Sequence, residues 1–491
     1  MAATYYIDNT NATGNLTGTD WTFTNASTAV TSAGDGDAVN DGLVAGDYIR
    51  ANGGTQWYKV ATVTDADNLV ITPAFQQSTI SGTATINWQD VSVKDGTSTA
   101  NAWCHPALYT TDTVRTAGDI GKMRANQTHV MAGIDLLFDE DGTVAALIQL
   151  KSCDSVDDPW TDASDAHVTF DFSDTAFDCV LFTDEYWQFE NIDFIQSSDA
   201  SGAINLGIAY PIKIIDCVFR DNNTIGLRFS GYGNIDIESC NFYDNGTVNF
   251  NLVTGSAHIK NSTFNGGAAT TDDGIRIQSG LLLIEDSTFG VTTTHDAASI
   301  RNYNGQAFVI ARRCKFDDAV EMYSVLNGSY LKSEDHDQVE GAHKSYYWHG
   351  TIEKETTEVR AGGATSSIKV TPNANCTTNF PVMAMEWEEQ SVPASEQTRG
   401  VAIKQGLADP TGFPTNVQLY LEAEYYNHAT NDTVATAVST AAISVYNTWT
   451  WFPVVFTPAQ AQKVRYRVWL GIKKSAEAYY VDNQLYDSDP I

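Results

Sequence analysis

The stretch Ile235-Asp-Ile-Glu-Ser-Cys-Asn-Phe242 decides the fold of this chain. Ile235 and Ile237 alternate with Asp236 and Glu238, the period of a half-buried strand. A short polar corner follows, and then Cys240 and Phe242, again two apart. The same phrase returns as Asn191-Ile-Asp-Phe194, Asp216-Cys-Val-Phe219, Asn261-Ser-Thr-Phe264, Asp286-Ser-Thr-Phe289 and Arg313-Cys-Lys-Phe316, with a looser Phe170-Asp-Phe172 at the start. Counted from Phe172, the phenylalanines step by 22, 25, 23, 22, 25 and 27 residues. A period of that size marks a solenoid. It is too short for two helices and their loops, and it suits three short strands joined by turns. The spacing therefore predicts a right-handed parallel β-helix with each Phe one rung above the last. One turn has apolar strands but no core of its own; stacking at about 4.8 Å pairs every strand with the next and buries a continuous core. A β-sandwich with coincidental Phe spacing is the alternative, and it would show no register between distant phrases.

Turn formers follow the phenylalanines: Asp221-Asn-Asn223, Asp244-Asn-Gly246 and Asn265-Gly-Gly267. A second apolar strand comes after them, as in Ile225-Gly-Leu-Arg-Phe229 and Ile275-Arg-Ile277. Cys217, Cys240 and Cys314 share one slot, two before the repeat Phe; with seven cysteines and no CxxC spacing, free interior thiols are expected.

With 491 residues, the chain exceeds a single core. Its abundance of Thr, Val, Ile, Tyr, Asn and Gly predicts an all-β protein in three parts. Residues 1–100 form a β-rich region, comprising the start of the helix and an inserted meander with strands from Gly46, at Trp57–Val63 and at Leu69–Thr72, turning at Asp65–Asp67. Residues 101–349 form the β-helix, with Val144–Leu150 as an early rung and Tyr346-Tyr-Trp-His349 sealing its far end. Residues 350–491 form an antiparallel jelly-roll β-sandwich from the alternating runs Val417–Glu424, Trp449–Phe456, Val464–Ile472 and Ala478–Asp482. A formal charge of −33, from 61 acidic and 28 basic residues, repels nucleic-acid phosphates and anionic membrane surfaces. No secretion signal and no apolar run long enough for a membrane span are read at sequence level.

The repeat over 172–316 resembles the right-handed β-helix of pectate-lyase-like proteins, a superfamily of polysaccharide lyases, glycoside hydrolases and phage tailspikes. Tyr5-Tyr-Ile-Asp8, Asn40-Asp-Gly-Leu43 and Ala45-Gly-Asp47 resemble the start of such helices. The meander over Trp57–Phe75 is similar to a small strand unit of phage structural proteins, and Arg360–Ser367, Trp449–Phe456 and Tyr480-Val-Asp482 resemble a carbohydrate-binding jelly roll. The combination implies a virion surface protein of the tailspike, fibre or capsid-decoration type. It would be made in the host cytoplasm without a secretion signal, would form a homo-oligomer, expected as a trimer, with other virion proteins as neighbours, and would contact host surface glycans or stabilise the shell. The alternative is a depolymerase, a polysaccharide lyase or glycoside hydrolase; a cellular adhesin is a third reading. These folds host many functions, so activity has to be argued from sites.

The site candidates are few. Glycoside hydrolysis needs two carboxylates about 5–9.5 Å apart, and Asp335, His336 and Asp337 qualify, lying in sequence beside the aromatic Tyr347 and Trp348; so do Asp272 and Asp273 in a wide turn, and the Asp139-Glu-Asp141 cluster. Each competes with the plain reading of Asp as a turn former. Tyr347, Trp348, Trp449 and Trp451 are candidate sugar platforms, against the alternative of packing. Asp35, Asp37 and Asp41 are candidates for a structural calcium ion, although Val39 and Gly46 stand where an EF-hand-like loop needs acids. No other cofactor is expected: zinc spacing, a phosphate loop and a nucleophile elbow are all missing from the sequence.

Overall fold

A computed structural model describes residues 2–316 except 111–114, 132–135, 139–141, 144, 155–160, 163–165, 176–180, 183–185, 199–201, 208–210, 268–272, 291–292, 296–297 and 304–306; beyond 316 it describes the strands named below together with residues 396, 448 and 449. The chain packs as two units, Met1–Phe250 and Asn251–Ile491. Strands dominate both, and the one α-helix among the described residues is the single turn Ala107–Thr110.

In the first unit each solenoid turn contributes three strands. The first position is filled in succession by Thr4–Ile7, Ile120–Arg124, Ile148–Asp154, Trp187–Glu190, Ile212–Ile215 and Asn234–Glu238, each parallel to the next. The second position holds Thr128–Val130, Val168–Thr175, Ile192–Ser197, Val218–Arg220 and Asn241–Tyr243. The third holds Leu137–Phe138, Leu181–Phe182, Ile204–Leu206 and Ile225–Phe229. The expected early rung is therefore present at Ile148, and the solenoid already includes the N-terminal strand Thr4–Ile7, whose partner begins at Ile120.

Register confirms the repeat and corrects its first member. Phe194 pairs with Phe219, and Phe219 with Phe242. Their rings stack at 5.1 and 4.8 Å, nearly parallel, because the strand spacing of about 4.8 Å sets the ring spacing. The residue below Phe194 is Phe170, not Phe172, and below Phe170 lies His129. Val168, Phe170 and Phe172 all point inward on one strand, so the sequence offers two rings for one slot; the pairing of Val168 with Ile192 selects Phe170. The turn after Phe219 and Phe242 is also interior. Asn222 and Asn245 are buried and form a ladder: Asn222 Nδ2 donates to Asn245 Oδ1 (2.8 Å), and Asn245 Nδ2 donates to the Phe219 carbonyl (2.9 Å). Buried amides persist only when bonded in this way.

Residues 14–89 of the same unit form a separate eight-stranded antiparallel sheet, in the order Gly14–Asn15, Ile86–Gln89, Tyr48–Ala51, Tyr58–Asp65, Asn68–Thr72, Ala29–Thr31, Trp21–Phe23 and Ile80–Ala84. The three predicted meander strands are at its centre. Trp21, Phe23, Tyr58 and Phe75 fill its core.

The second unit repeats the three positions: Ser256–Lys260, Gly280–Glu285, Ala307–Arg312 and Tyr330–Glu334; Thr263–Phe264, Thr288–Phe289 and Lys315–Phe316; Asp273–Ile277, Ala298–Asn302 and Glu321–Ser324. Phe264, Phe289 and Phe316 stack at 5.1 and 4.8 Å. The last rung is then handed over to antiparallel strands. Tyr330–Glu334 pairs with Ala342–Tyr347, which leads through Pro381–Val392 and Gln462–Gly471 to Gln418–Asn427 and Asp432–Ala441. Glu321–Ser324 pairs with Gly350–Glu355, which leads through Ser367–Pro372 and Tyr479–Asp482 to Gln397–Gln405 and Thr450–Phe456. The expected seal at Tyr346 and Tyr347 thus takes the form of a strand that satisfies an open solenoid edge. The cysteines of the repeat are buried and in no disulfide, as are Cys104 and Cys153.

Candidate functional site

Among the described residues, a built cluster on the solenoid surface surrounds Asp273 in the second unit. Parallel pairing sets Asp273 beside Ala298 and Arg276 beside Arg301. Ile275, Ile277 and Ile300 point into the core, so alternation turns Arg276 and Arg301 outward, on neighbouring rungs about 4.8 Å apart. Like charges opposite each other destabilise a sheet. Asp273 offsets that repulsion from beneath. Its Oδ2 accepts from Arg276 Nε at 2.8 Å and lies 2.7 Å from the same guanidinium's terminal nitrogen. Arg301 Nε stands 3.2 Å from Oδ1, an ion pair whose angle falls short of a hydrogen bond. The Arg276 guanidinium lies 4.8 Å over the Tyr303 ring, and Tyr303 keeps 55% of its surface exposed.

The Asp273 side chain has no exposed surface, whereas those of Arg276 and Arg301 are 19% and 29% exposed. Burial raises the Asp273 carboxyl above its ordinary value, and the two guanidiniums pull against that rise. His295 is buried nearby, and Gly274 makes room for it: a Cβ there would sit 3.0 Å from His295 Nε2 and 2.5 Å from the Ser299 carbonyl. A carboxylate closed to solvent cannot reach a sugar. Its geometry is that of an anchor holding two arginines in place, with one positive charge left over.

The other expected residues divide into three groups. Asp272, Asp335, His336, Asp337, Trp348 and the Asp139-Glu-Asp141 cluster lie outside the described residues, and Tyr347 is described only as backbone in its strand. Trp449 is half-buried just ahead of the strand Thr450–Phe456; Trp451 pairs in register with Ala402 and is half-buried, with an indole N–H that is buried and has no acceptor among the described residues. Asp35, Asp37 and Asp41 are used separately: Asp35 accepts from the Thr19 amide (3.2 Å) and Ser32 Oγ (3.2 Å), Asp37 from Asn40 Nδ2 (2.7 Å), and Asp41 from the Thr17 amide and hydroxyl. Among the described residues no three His, Cys, Asp or Glu side chains converge as metal ligands.

A second charged group is fully paired. Glu285 faces His258 (3.0 Å), Arg312 (3.4 Å), Arg313 (3.7 Å) and Lys260 (4.0 Å), and Asp286 holds Arg313 at 2.7 and 2.8 Å. The hydrogen bond from His258 is the main reason the Glu285 carboxyl lies below its ordinary range. Sequence reading singled out neither this network nor Arg276, Arg301 and Tyr303. One signal was available for the arginines: Arg276 and Arg301 are separated by 25 residues, the same step as Phe264 to Phe289.

No family model and no curated protein matches the chain. Solved structures similar to it include the Acinetobacter phage vB_ApiP_P1 tailspike protein, at 11% identity and TM-score 0.29, covering 74% of this chain and 79% of that one. The enzymatically active domain of bacteriophage CBA120 tailspike protein 4 aligns at 11% identity and TM-score 0.26 over 74% of this chain; this chain spans 64% of its length. A family 16 carbohydrate-binding module aligns at 17% identity and TM-score 0.20 over 28% of this chain and 84% of its own. The fold stands on the strand pairing, and no residue role is taken from these likenesses.

Proposed function

We propose that this chain is an outward-facing component of a virus particle that engages glycans on the host surface. The observation that carries the reading is the construction of the solenoid: parallel strand ladders with stacked rings within each unit, and last edges in the second unit taken up by antiparallel sheets. Such a body is stiff, because each rung is bonded on both sides, and stiffness suits a part that must meet a cell surface while fixed to a particle. The outward Arg276, Arg301 and Tyr303 supply polar and aromatic groups on that body of the kind a saccharide needs. A net charge of −33 keeps such a surface from adhering to nucleic acid and anionic lipid. The expected homotrimer and the expected structural calcium ion belong to this proposal. Light scattering of the purified chain, with and without a chelator, tests both.

A glycoside hydrolase on this scaffold needs two carboxylates open to substrate, and Asp273 is closed; a lyase needs instead a base near the sugar C5, helped by a cation or an arginine. Chain-length analysis of host polysaccharide after incubation with the protein decides between binding and cleavage. The binding reading predicts unchanged length. The proposal as a whole is tested by quantitative mass spectrometry of purified particles: a fixed copy number per particle supports it, and absence from the particles overturns it.

A further inference from the structure

The Asp273 cluster carries more charge than its own structure uses. The chain is acidic more than two to one, 61 residues against 28, yet here two guanidiniums share one carboxylate on an outward face. A surface that only had to be stable would gain by placing opposite charges across neighbouring rungs, or neutral β-formers. Instead the pair shares one buried carboxylate. Asp273 fixes Arg276 through Nε and a terminal nitrogen, the Tyr303 ring covers the same guanidinium, and Asp273 holds Arg301 through Nε. Arg301 keeps 29% of its side chain exposed and has no second carboxylate partner among the described residues. A guanidinium fork matches a carboxylate in two parallel hydrogen bonds. Tyr303, two residues after Arg301 in sequence and more than half exposed, holds its ring against the Arg276 guanidinium.

We propose that Arg301, positioned with Arg276 by the buried Asp273, binds the carboxylate of an acidic sugar residue while Tyr303 packs against that sugar's ring. This deepens the glycan-binding reading and rests on it: it names the ligand class as a uronate or another carboxylate-bearing saccharide, bound and not cleaved. Arg301 and Tyr303 are the contacting residues. Asp273 is a positioning residue, since it reaches the ligand only through the arginines.

The test is calorimetric titration of the full chain with oligogalacturonate, oligoglucuronate and oligo-N-acetylneuraminate, each beside its carboxyl-reduced form. The wild type is expected to bind at least one acidic series, to bind the reduced form about tenfold or more weakly, and to lose affinity as salt is added. Arg301→Gln is expected to lose that preference while remaining folded, because Arg276 still pairs with the buried Asp273; Tyr303→Ala is expected to weaken acidic and reduced forms alike. Equal affinity for acidic and reduced forms, no binding of any acidic series, or an Arg301→Gln protein that binds like wild type would overturn the proposal. Its failure is distinct from failure of the broader reading: neutral glycans bound through other residues would leave a particle-borne glycan binder without this acid site, whereas absence from particles would remove the viral setting and leave the titration to report on the site itself.

Discussion

At the scale of single residues, the solenoid is shaped by its corners. The first residue of each repeated phrase, Asn191, Asp216, Ser239, Asn261, Asp286 and Arg313, has φ between 49° and 58°, in the left-handed region. Asn and Asp tolerate that region, and other residues are strained there by about 1–2 kcal/mol. Ser239→Val is accordingly expected to lower the unfolding temperature, and Ser239→Gly to match or exceed wild type, measured by calorimetry. His129 shows where residue-level reading stops. It occupies the ring slot beneath Phe170 and meets that ring edge-on, 6.2 Å away, but nothing in its local sequence resembles the phrase. Burial pushes His129 down to about 3 and His105, its neighbour, down to about 4, from 6.5 in the unfolded chain. The folded state therefore holds both rings neutral. Stability is fully present above pH 6.5 and falls as acid protonates the unfolded chain first, by about 2 kcal/mol per histidine at pH 5. His129→Phe, which restores the column's ring, is expected to shrink the loss measured by denaturant titration between pH 7 and pH 5. An unchanged loss would contradict the account.

At the scale of elements, the stacked rings hold the rungs in register. Phe219 lies between Phe194 and Phe242 and is fully buried. Phe219→Ala is expected to destabilise the first unit by about 3–5 kcal/mol, and Phe219→Leu by clearly less, read from denaturant midpoints. This level was the most legible in the sequence, because a recurring side chain at recurring spacing reports stacking directly. The C-terminal strands were legible for a different reason. Their long two-residue alternation placed Val464–Ile472 almost on the observed Gln462–Gly471, and Ala478–Asp482 on Tyr479–Asp482. The N-terminal sheet was half legible. Its central strands alternate, but Gly14–Asn15, Trp21–Phe23 and Ala29–Thr31 are too short for a period. The resemblance of Tyr5–Asp8 to a helix start placed Thr4–Ile7 in the solenoid, but its partner strand, more than a hundred residues later, was not legible, because parallel partners are joined by connections of any length. The same limit hid the candidate site: Asp273 could be named as an acid in a turn, but its burial between two arginines depends on cross-rung register.

At the scale of the whole molecule, the account joins a rigid solenoid body, edges taken up by antiparallel sheets in the second unit, and an acidic chain that carries a small basic and aromatic site. None of these alone names a function, since the solenoid serves many. Together they support the proposal of a part that faces outward and meets saccharide. Immunogold electron microscopy of intact, unopened particles from the source of this chain tests that claim most directly. The account predicts label on the outside of the particles. Label confined to cell debris, or seen only after particles are broken open, would contradict it.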